Sequence, residues 1–256
     1  MPVNTLKEKM NAGQAVIGTF VKLVDPAVSE IMALCGFDFL VFDMEHAPID
    51  IRSLENMTRA CLLGGSIPIA RLEAGRPEII LRAMDLGLYG IQVPHVETVQ
   101  DAQDVVASIR YKLPVGRRGF SLSPRAAGYG GVSAESYIDW VEKQTLAVIQ
   151  IESLQGFENL EAILAVENVD VIFFGPADLS QSLGVPGYTG APEVQRILEE
   201  APRIIRRHGK KHPGIWVNSP EEVRRFVDLG YRYVVLGTDT GFLRSAVRKT
   251  LDFLKA

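Results

Sequence analysis

Eight strand-like apolar runs alternate with helical patterns along a chain of 256 residues, and this alternation predicts an α/β protein folded as a single (β/α)₈ TIM barrel. Two further observations favour that architecture. The length suits one barrel of this kind. The turn after the first run, Phe20-Val21-Lys22-Leu23-Val24-Asp25, contains no glycine, whereas a doubly wound dinucleotide-binding sheet would want a glycine-rich turn there.

The strand-like runs are rich in β-branched and aromatic residues, as buried parallel strands are. The first, Ala15–Val21, leads to a helix opened by Asp25-Pro26 and running to Leu34. Phe37–Asp43 follows, then a helix capped by Asp50 and continuing through Leu62. Ile67–Arg71 precedes a helix started by Arg76-Pro77 and ending at Leu86, and Tyr89–Pro94 precedes one from Glu97 to Ile109. The fifth and sixth runs, Ala147–Ile151 and Val171–Phe174, are paired with helices Gly156–Ala165 and Ala191–His208. His212–Val217 with Ser219–Leu229, and Tyr233–Leu236 with Gly241–Leu254, complete the set. Proline in a first turn and Ser or Asp just before it are start signals, because proline has no N–H for the first turn to leave unpaired and the Ser or Asp side chain accepts from one of the N–H groups that it does leave. Gly36, Gly87 and Gly230 stand where a helix ends with positive φ.

One connection is long. Between the fourth and fifth strands the chain runs from Tyr111 to Gln144, an insertion of about 111–146 within the one domain 1–256. It carries Gly116-Arg117-Arg118-Gly119-Phe120 and the stretch from Ser123 to Gly131. A loop of this length is usually functional. Its three arginines are expected to meet an anionic substrate or a neighbouring subunit.

Composition narrows the function classes. Hydrophobic residues make up 47% and charged residues 23%, which suits a globular protein with a sizeable core. A net charge of −4 with no basic face speaks against nucleic acid as a partner. No apolar run reaches the roughly 18 residues a membrane helix needs. The N-terminus, Met1-Pro2-Val3-Asn4-Thr5-Leu6-Lys7, lacks the basic-then-apolar order of a signal peptide. Cys35 and Cys61 lie in apolar helical patterns and read as small buried hydrophobes. With no disulfide framework and no metal-ligand spacing between them, the expected compartment is the reducing cytoplasm.

In such barrels chemistry gathers at the C-terminal ends of the strands. Two carboxylates stand there one βα unit apart: Glu152 straight after Ala147–Ile151, and Asp178 in Gly175-Pro176-Ala177-Asp178 after Val171–Phe174. Both are hard oxygen donors, so together they favour Mg²⁺ or Mn²⁺, with Co²⁺ as a further candidate, over structural zinc. The plainer alternative for each is a helix cap. His46 is the first candidate base, because histidine is the side chain that ordinarily titrates nearest neutrality. Asp43 or another nearby carboxylate is the expected partner to fix its tautomer. His95 is a second candidate without a carboxylate within two residues, while His208 and His212 fall on the opposite, stability face. Arg71 ends the third strand with a planar fork suited to a carboxylate or enolate, or else to a salt bridge with Glu73. Lys22 alone among the lysines falls near a strand's mouth end, which makes a Schiff-base mechanism unattractive. Gln150, Trp216, Asn218, Thr238 and Asp239 also sit at strand ends.

The segment from Phe37 to Pro48, with Asp43-Met44-Glu45-His46 inside it, resembles the Asp-x-Glu-His segment of the HpcH/HpaI aldolases. Gln150-Ile151-Glu152 and Gly175-Pro176-Ala177-Asp178-Leu179 resemble the metal and substrate segments of that family, and Pro114 to Ala126 its long loop. The resemblance covers nearly the whole chain in the same order. It implies a metal-dependent barrel that cleaves 2-keto-3-deoxy or 4-hydroxy-2-oxo acids to pyruvate and an aldehyde, reversibly. It further implies His46 as base, Arg71 as the stabiliser of developing negative charge, and Asp85 as the residue that raises the basicity of the histidine. Glu152 and Asp178 correspond to the metal ligands, Gln150 and Ala177 to substrate contacts beside Gly175 and Pro176. A homo-hexamer built as a trimer of dimers is the implied assembly. Met44 stands where glycine is the commoner residue in the family, which bears on substrate range.

Two other classes compete: a citrate-lyase-type enzyme acting on an acyl-CoA thioester, for which no CoA-binding surface is recognised, and a non-catalytic 2-oxo acid binder. The binder would have no need for Asp43, Glu45, His46 and Asp85 together. Phe20, Trp216, Val217 and the arginines of the long connection are expected to line the aldehyde pocket.

Overall fold

A computed structural model describes residues 3–73 and 75–255; Met1 and Pro2 of the N-terminal reading lie outside them. Eight parallel strands close into a barrel in chain order. They are β1 (Val16–Val21), β2 (Phe39–Asp43), β3 (Ile67–Arg71), β4 (Gly90–Val93), β5 (Leu146–Ile151), β6 (Val171–Phe174), β7 (His212–Val217) and β8 (Tyr233–Thr238). The expected boundaries hold to within two residues. The differences are the first residues of the first, second and fourth runs, which precede the ladder, Pro94, which follows β4, Leu146, which opens β5, and Gly237-Thr238, which extend β8.

Helices α1 (Thr5–Asn11), α2 (Pro26–Leu34), α3 (Ile51–Leu63), α4 (Pro77–Asp85) and α5 (Val99–Ile109) serve the first half. The second half carries α6 (Ala134–Gln144), α7 (Leu154–Glu158), α8 (Leu160–Leu164), α9 (Pro176–Ser182), α10 (Pro192–His208), α11 (Pro220–Leu229) and α12 (Asp239–Lys255). Their starts follow the side-chain chemistry. Asp25 and Asp50 accept from first-turn amides, and Thr98 and Asp101 satisfy each other's backbone in a capping box. Gly230, at φ 110°, ends α11 in the left-handed conformation that glycine adopts without a Cβ clash.

The core has two parts. Between barrel and helices lies an apolar layer that includes Leu40, Phe42, Ile149, Ile172, Phe174 and Val234. Inside the barrel Phe39, Phe173 and Tyr233 fill the lumen, with the rings of Phe39 and Tyr233 stacked at 4.2 Å. Gly18 makes room for that packing, since a Cβ there would fall 2.4 Å from the Phe39 ring. Helix α1, unforeseen in the sequence, buries Leu6 and Met10 against this inner cluster and plugs the end where the strands begin. His212 bonds Asn11 of α1 at 3.1 Å, so it belongs to that closed end, as expected.

The long connection is not all loop. Helix α6 occupies 134–144 and packs Tyr137 and Val141 on Ala126 and Ala127 of a 3-10 turn at Arg125–Gly130. Arg118 Nη2 reaches Asp85 Oδ1 at 2.6 Å, and Arg125 Nη1 donates to the Leu86 carbonyl at 2.7 Å. Both partners lie at the end of α4, on the barrel's N-terminal side. Within one chain these two arginines therefore brace the closed end and do not line the mouth. Two other expectations change. The helix expected at 156–165 is interrupted at Asn159, which separates α7 from α8. Cys61 is buried, and burial pushes its thiol well above the ordinary range, but Cys35 is exposed at the end of α2. Among the described residues no helix is long and apolar enough to cross a membrane.

Candidate active site

The open end of the barrel holds a cavity of about 200 Å³. Phe20 and Lys22 reach it from β1 and the turn beyond, His46 from the β2 turn, Arg71 from β3, and Gln150 and Glu152 from β5. Residues 175–178 close one side, and Trp216 and Thr238 close the other from β7 and β8. Parallel strands ending at one level deliver these side chains to one place, which is why residues so far apart in sequence converge.

One wall is built on Asp43. This carboxylate is fully buried, and Arg71 grips it with a fork: Nε to Oδ1 at 3.0 Å and Nη2 to Oδ2 at 2.8 Å. Lys22 Nζ lies 3.1 Å from Oδ2, and the backbone amides of Glu45 and His46 donate to Oδ1. Desolvation pushes the Asp43 carboxyl up, but the hydrogen bonds and charge of Arg71, with the charge of Lys22, outweigh it and hold the carboxyl below its ordinary value. Arg71 also lies 3.2 Å from Glu45 Oε2 and stacks over Phe20 at 4.2 Å. Its partners are thus Asp43 and Glu45; Glu73, the partner considered from the sequence, pairs with Arg76. Asp43 fixes the His46 backbone, while the carboxylate beside the His46 ring is Glu45, 3.7 Å from Nε2.

The facing wall is built on Glu152, which is 4% exposed. Its Oε1 accepts from the His95 amide at 2.8 Å, its Oε2 from Gln150 Nε2 at 2.8 Å, and Gln150 in turn accepts from Gln92. Desolvation raises the Glu152 carboxyl above its usual range, and the charge of Asp178 adds to that rise against the opposing hydrogen bonds. Two close carboxylates, one of them dehydrated, form a site that a cation would relieve. Gly175 leaves room for the Glu152 carboxylate: a Cβ there would stand 2.6 Å from Glu152 Oε2. His95 holds a left-handed φ of 54°, uncommon for a residue with a Cβ, and its Nδ1 sits 3.1 Å from Glu152 Oε1. Its carboxylate partners, Glu152 and Glu45, lie far off in sequence, so no near neighbour in the chain signals them.

Of the residues singled out from the sequence, His46, Arg71, Gln150, Glu152, Gly175, Pro176, Ala177 and Asp178 meet around one cavity, and Asp43 supports Arg71 behind it. Asp85 does not join them within one chain; it meets Arg118. Phe20 and Trp216 line the cavity as expected, whereas Val217 is buried in the core. Among the described residues no three His, Cys, Asp or Glu side chains gather as a metal cluster; Glu152 and Asp178 are the two carboxylates that line the cavity.

Known proteins resemble this chain in sequence and in fold. The model of the HpcH/HpaI aldolase/citrate lyase family matches residues 16–246. A 5-keto-4-deoxy-D-glucarate aldolase of Shigella boydii serotype 18 is 39% identical over 252 residues, covering 98% of this chain and 96% of that protein. The crystal structure of a family protein from Burkholderia cenocepacia J2315 superposes with a TM-score of 0.94 at 30% identity, covering 99% of this chain and 100% of the other. An HpcH/HpaI aldolase from Desulfitobacterium hafniense DCB-2 gives 0.91 at 27% identity, over 98% and 96%.

Proposed function

The chain belongs to the HpcH/HpaI aldolase/citrate lyase family and is a carbon–carbon lyase of the aldolase kind, and on that premise we propose that its mouth cavity cleaves a 4-hydroxy-2-oxo acid or 2-keto-3-deoxy sugar acid to pyruvate and an aldehyde. The observation that carries this reading is the convergence of a base, a guanidinium and two carboxylates on one small cavity. The 39% identity to an aldolase over nearly the full chain favours it over an acyl-CoA lyase.

Glu152 and Asp178 fit a hard divalent cation: they are oxygen donors in mutual repulsion, with Gly175 leaving room for the Glu152 carboxylate. Mg²⁺ or Mn²⁺, and by the same chemistry Co²⁺, would supply Lewis-acid polarisation of a 2-oxo acid there. The remaining work falls to the chain's own residues. His46 takes the proton of the C4 hydroxyl. As the C3–C4 bond breaks and the aldehyde leaves, the bond's electron pair becomes the C2=C3 double bond and the keto π pair moves to the oxygen, where Arg71 offers N–H donors to the growing negative charge. Asp43 keeps that guanidinium aimed. Gln150, itself held by Gln92, and the 175–177 turn shape the 2-oxo acid side, Ala177 through its backbone. Protonation at C3 then yields pyruvate, and the reverse sequence adds pyruvate to an aldehyde.

The implied assembly, a homo-hexamer built as a trimer of dimers, has support in α12. Leu243, Val247, Leu251 and Leu254 repeat at helical spacing on that helix and are 47–74% exposed. Light scattering coupled to size exclusion measures the mass directly. The catalytic reading is tested by offering 5-keto-4-deoxy-D-glucarate and following pyruvate with lactate dehydrogenase. Pyruvate release that stops with EDTA and returns with Mg²⁺ or Mn²⁺ is the expected result; release indifferent to EDTA contradicts it.

A further inference from the structure

Lys22 is the charged residue of the cavity to which the mechanism above gives no task. It is fixed at both ends. Its backbone amide and that of Leu23 donate to Asp239 Oδ2 at 2.9 and 2.8 Å, and Asp239 is 1% exposed. Its ammonium lies 3.1 Å from Asp43 Oδ2. Two buried carboxylates, on β2 and after β8, thus hold one lysine at the rim.

The ammonium is not used up by Asp43. Arg71 already occupies both oxygens of that carboxylate, and an ammonium has three donors, so Lys22 keeps N–H groups to offer. Its side chain is 28% exposed and lines the cavity. Its neighbours there divide the cavity. Gln150, Glu152 and residues 175–178 form the 2-oxo acid side, whereas Phe20 and Thr238 come from β1 and the adjacent β8, and Trp216 from β7 beyond them; the Lys22 ammonium stands between the two, sharing Asp43 Oδ2 with Arg71. This second side is apolar apart from Lys22 and the Thr238 hydroxyl.

Resting on the aldolase reading above, we infer that Lys22 selects the aldehyde half of the substrate by binding an anionic group on it, a carboxylate at the far end of the aldehyde. The substrate is then a dicarboxylate: one carboxylate belongs to the pyruvyl half and the other pairs with Lys22. A charge-assisted contact of this kind in a half-buried site discriminates against the uncharged analogue by about tenfold or more.

The test adds pyruvate, with Mg²⁺ present, to two aldehydes of equal length: tartronate semialdehyde, which ends in a carboxylate, and glyceraldehyde, which ends in a hydroxymethyl group. The readout is the ratio of their kcat/KM values. The wild type is expected to favour the carboxylate by about tenfold or more, K22M to lose most of that preference, and K22R to keep most of it. K22Q reads the same ratio should K22M fail to fold, with circular dichroism as the check. No preference in the wild type, or an unchanged ratio in a folded K22M or K22Q, overturns the assignment. Deuterium uptake at pyruvate C3 separates the two levels. Uptake without acceptor discrimination overturns only the role of Lys22; no uptake and no product with either aldehyde overturns the aldolase reading and the role of Lys22 with it.

Discussion

Arg71 and Asp43 face each other at paired positions on β3 and β2, and the guanidinium closes on both carboxylate oxygens at 3.0 and 2.8 Å. The register of two adjacent strands therefore fixes where the cation points. Lys22 shares the same carboxylate, so one buried anion organises the two cations of the mouth. Removing it unbalances both.

Asp43→Asn is accordingly expected to destabilise the fold by about 3–5 kcal/mol at neutral pH, because Arg71 loses its buried counter-charge. The pH dependence has a definite sign. Asp43 has a lowered carboxyl pKa when folded, so its stabilisation is present above the ordinary carboxylate value of about 3.9 and is lost as pH falls through the lowered value. Denaturant titrations of both proteins should show a gap at pH 7 that narrows in acid. A gap that does not change with pH counts against this assignment.

Arg71→Lys keeps the charge and removes the fork. Loss of the aimed donors should lower kcat by about 10²–10³-fold. Steady-state cleavage measures it, and a loss confined to KM would mean that Arg71 binds substrate without stabilising the developing charge.

His46→Asn removes the base from the turn that Asp43 orders. Cleavage should slow by about 10²–10⁴-fold in kcat, with thermal stability little altered because the side chain is half exposed. An unchanged kcat removes His46 from the mechanism.

Gly175→Ala tests the cation site through its backbone. The added methyl would stand 2.6 Å from Glu152 Oε2 and must push that carboxylate aside. Calorimetric titration with Mn²⁺ is expected to show affinity down by about 10–100-fold, the range seen when the support of a metal ligand is disturbed. Wild-type affinity in this variant would separate Glu152 from the metal.

Much of the barrel was legible because a parallel strand covered on both sides must be apolar throughout, and its last residue then marks the mouth. Val171–Phe174 and Ile67–Arg71 were read to the residue, which placed Asp178 and Arg71 correctly. Helices α1, α6 and α9 were not legible. The first and last have seven residues each, too few for a periodic signal, and α6 buries only Tyr137 and Val141. Partnerships were the least legible part. Arg71 passes over nearby Glu73 for Asp43, and His95 finds Glu152 57 residues away, because strand pairing, not sequence distance, sets neighbours in a barrel. Asp85, taken from resemblance alone, lies with Arg118 at the closed end of its own chain.

On the proposed reading this cavity makes the enolate of pyruvate with a cation held by Glu152 and Asp178. Hydrogen–deuterium exchange at pyruvate C3, followed by proton NMR in D₂O without any aldehyde, tests it most directly. The expected exchange is abolished by EDTA, restored by Mg²⁺ or Mn²⁺, and absent from Glu152→Gln. Exchange that persists through EDTA, or that survives in the variant at the wild-type rate, would contradict it.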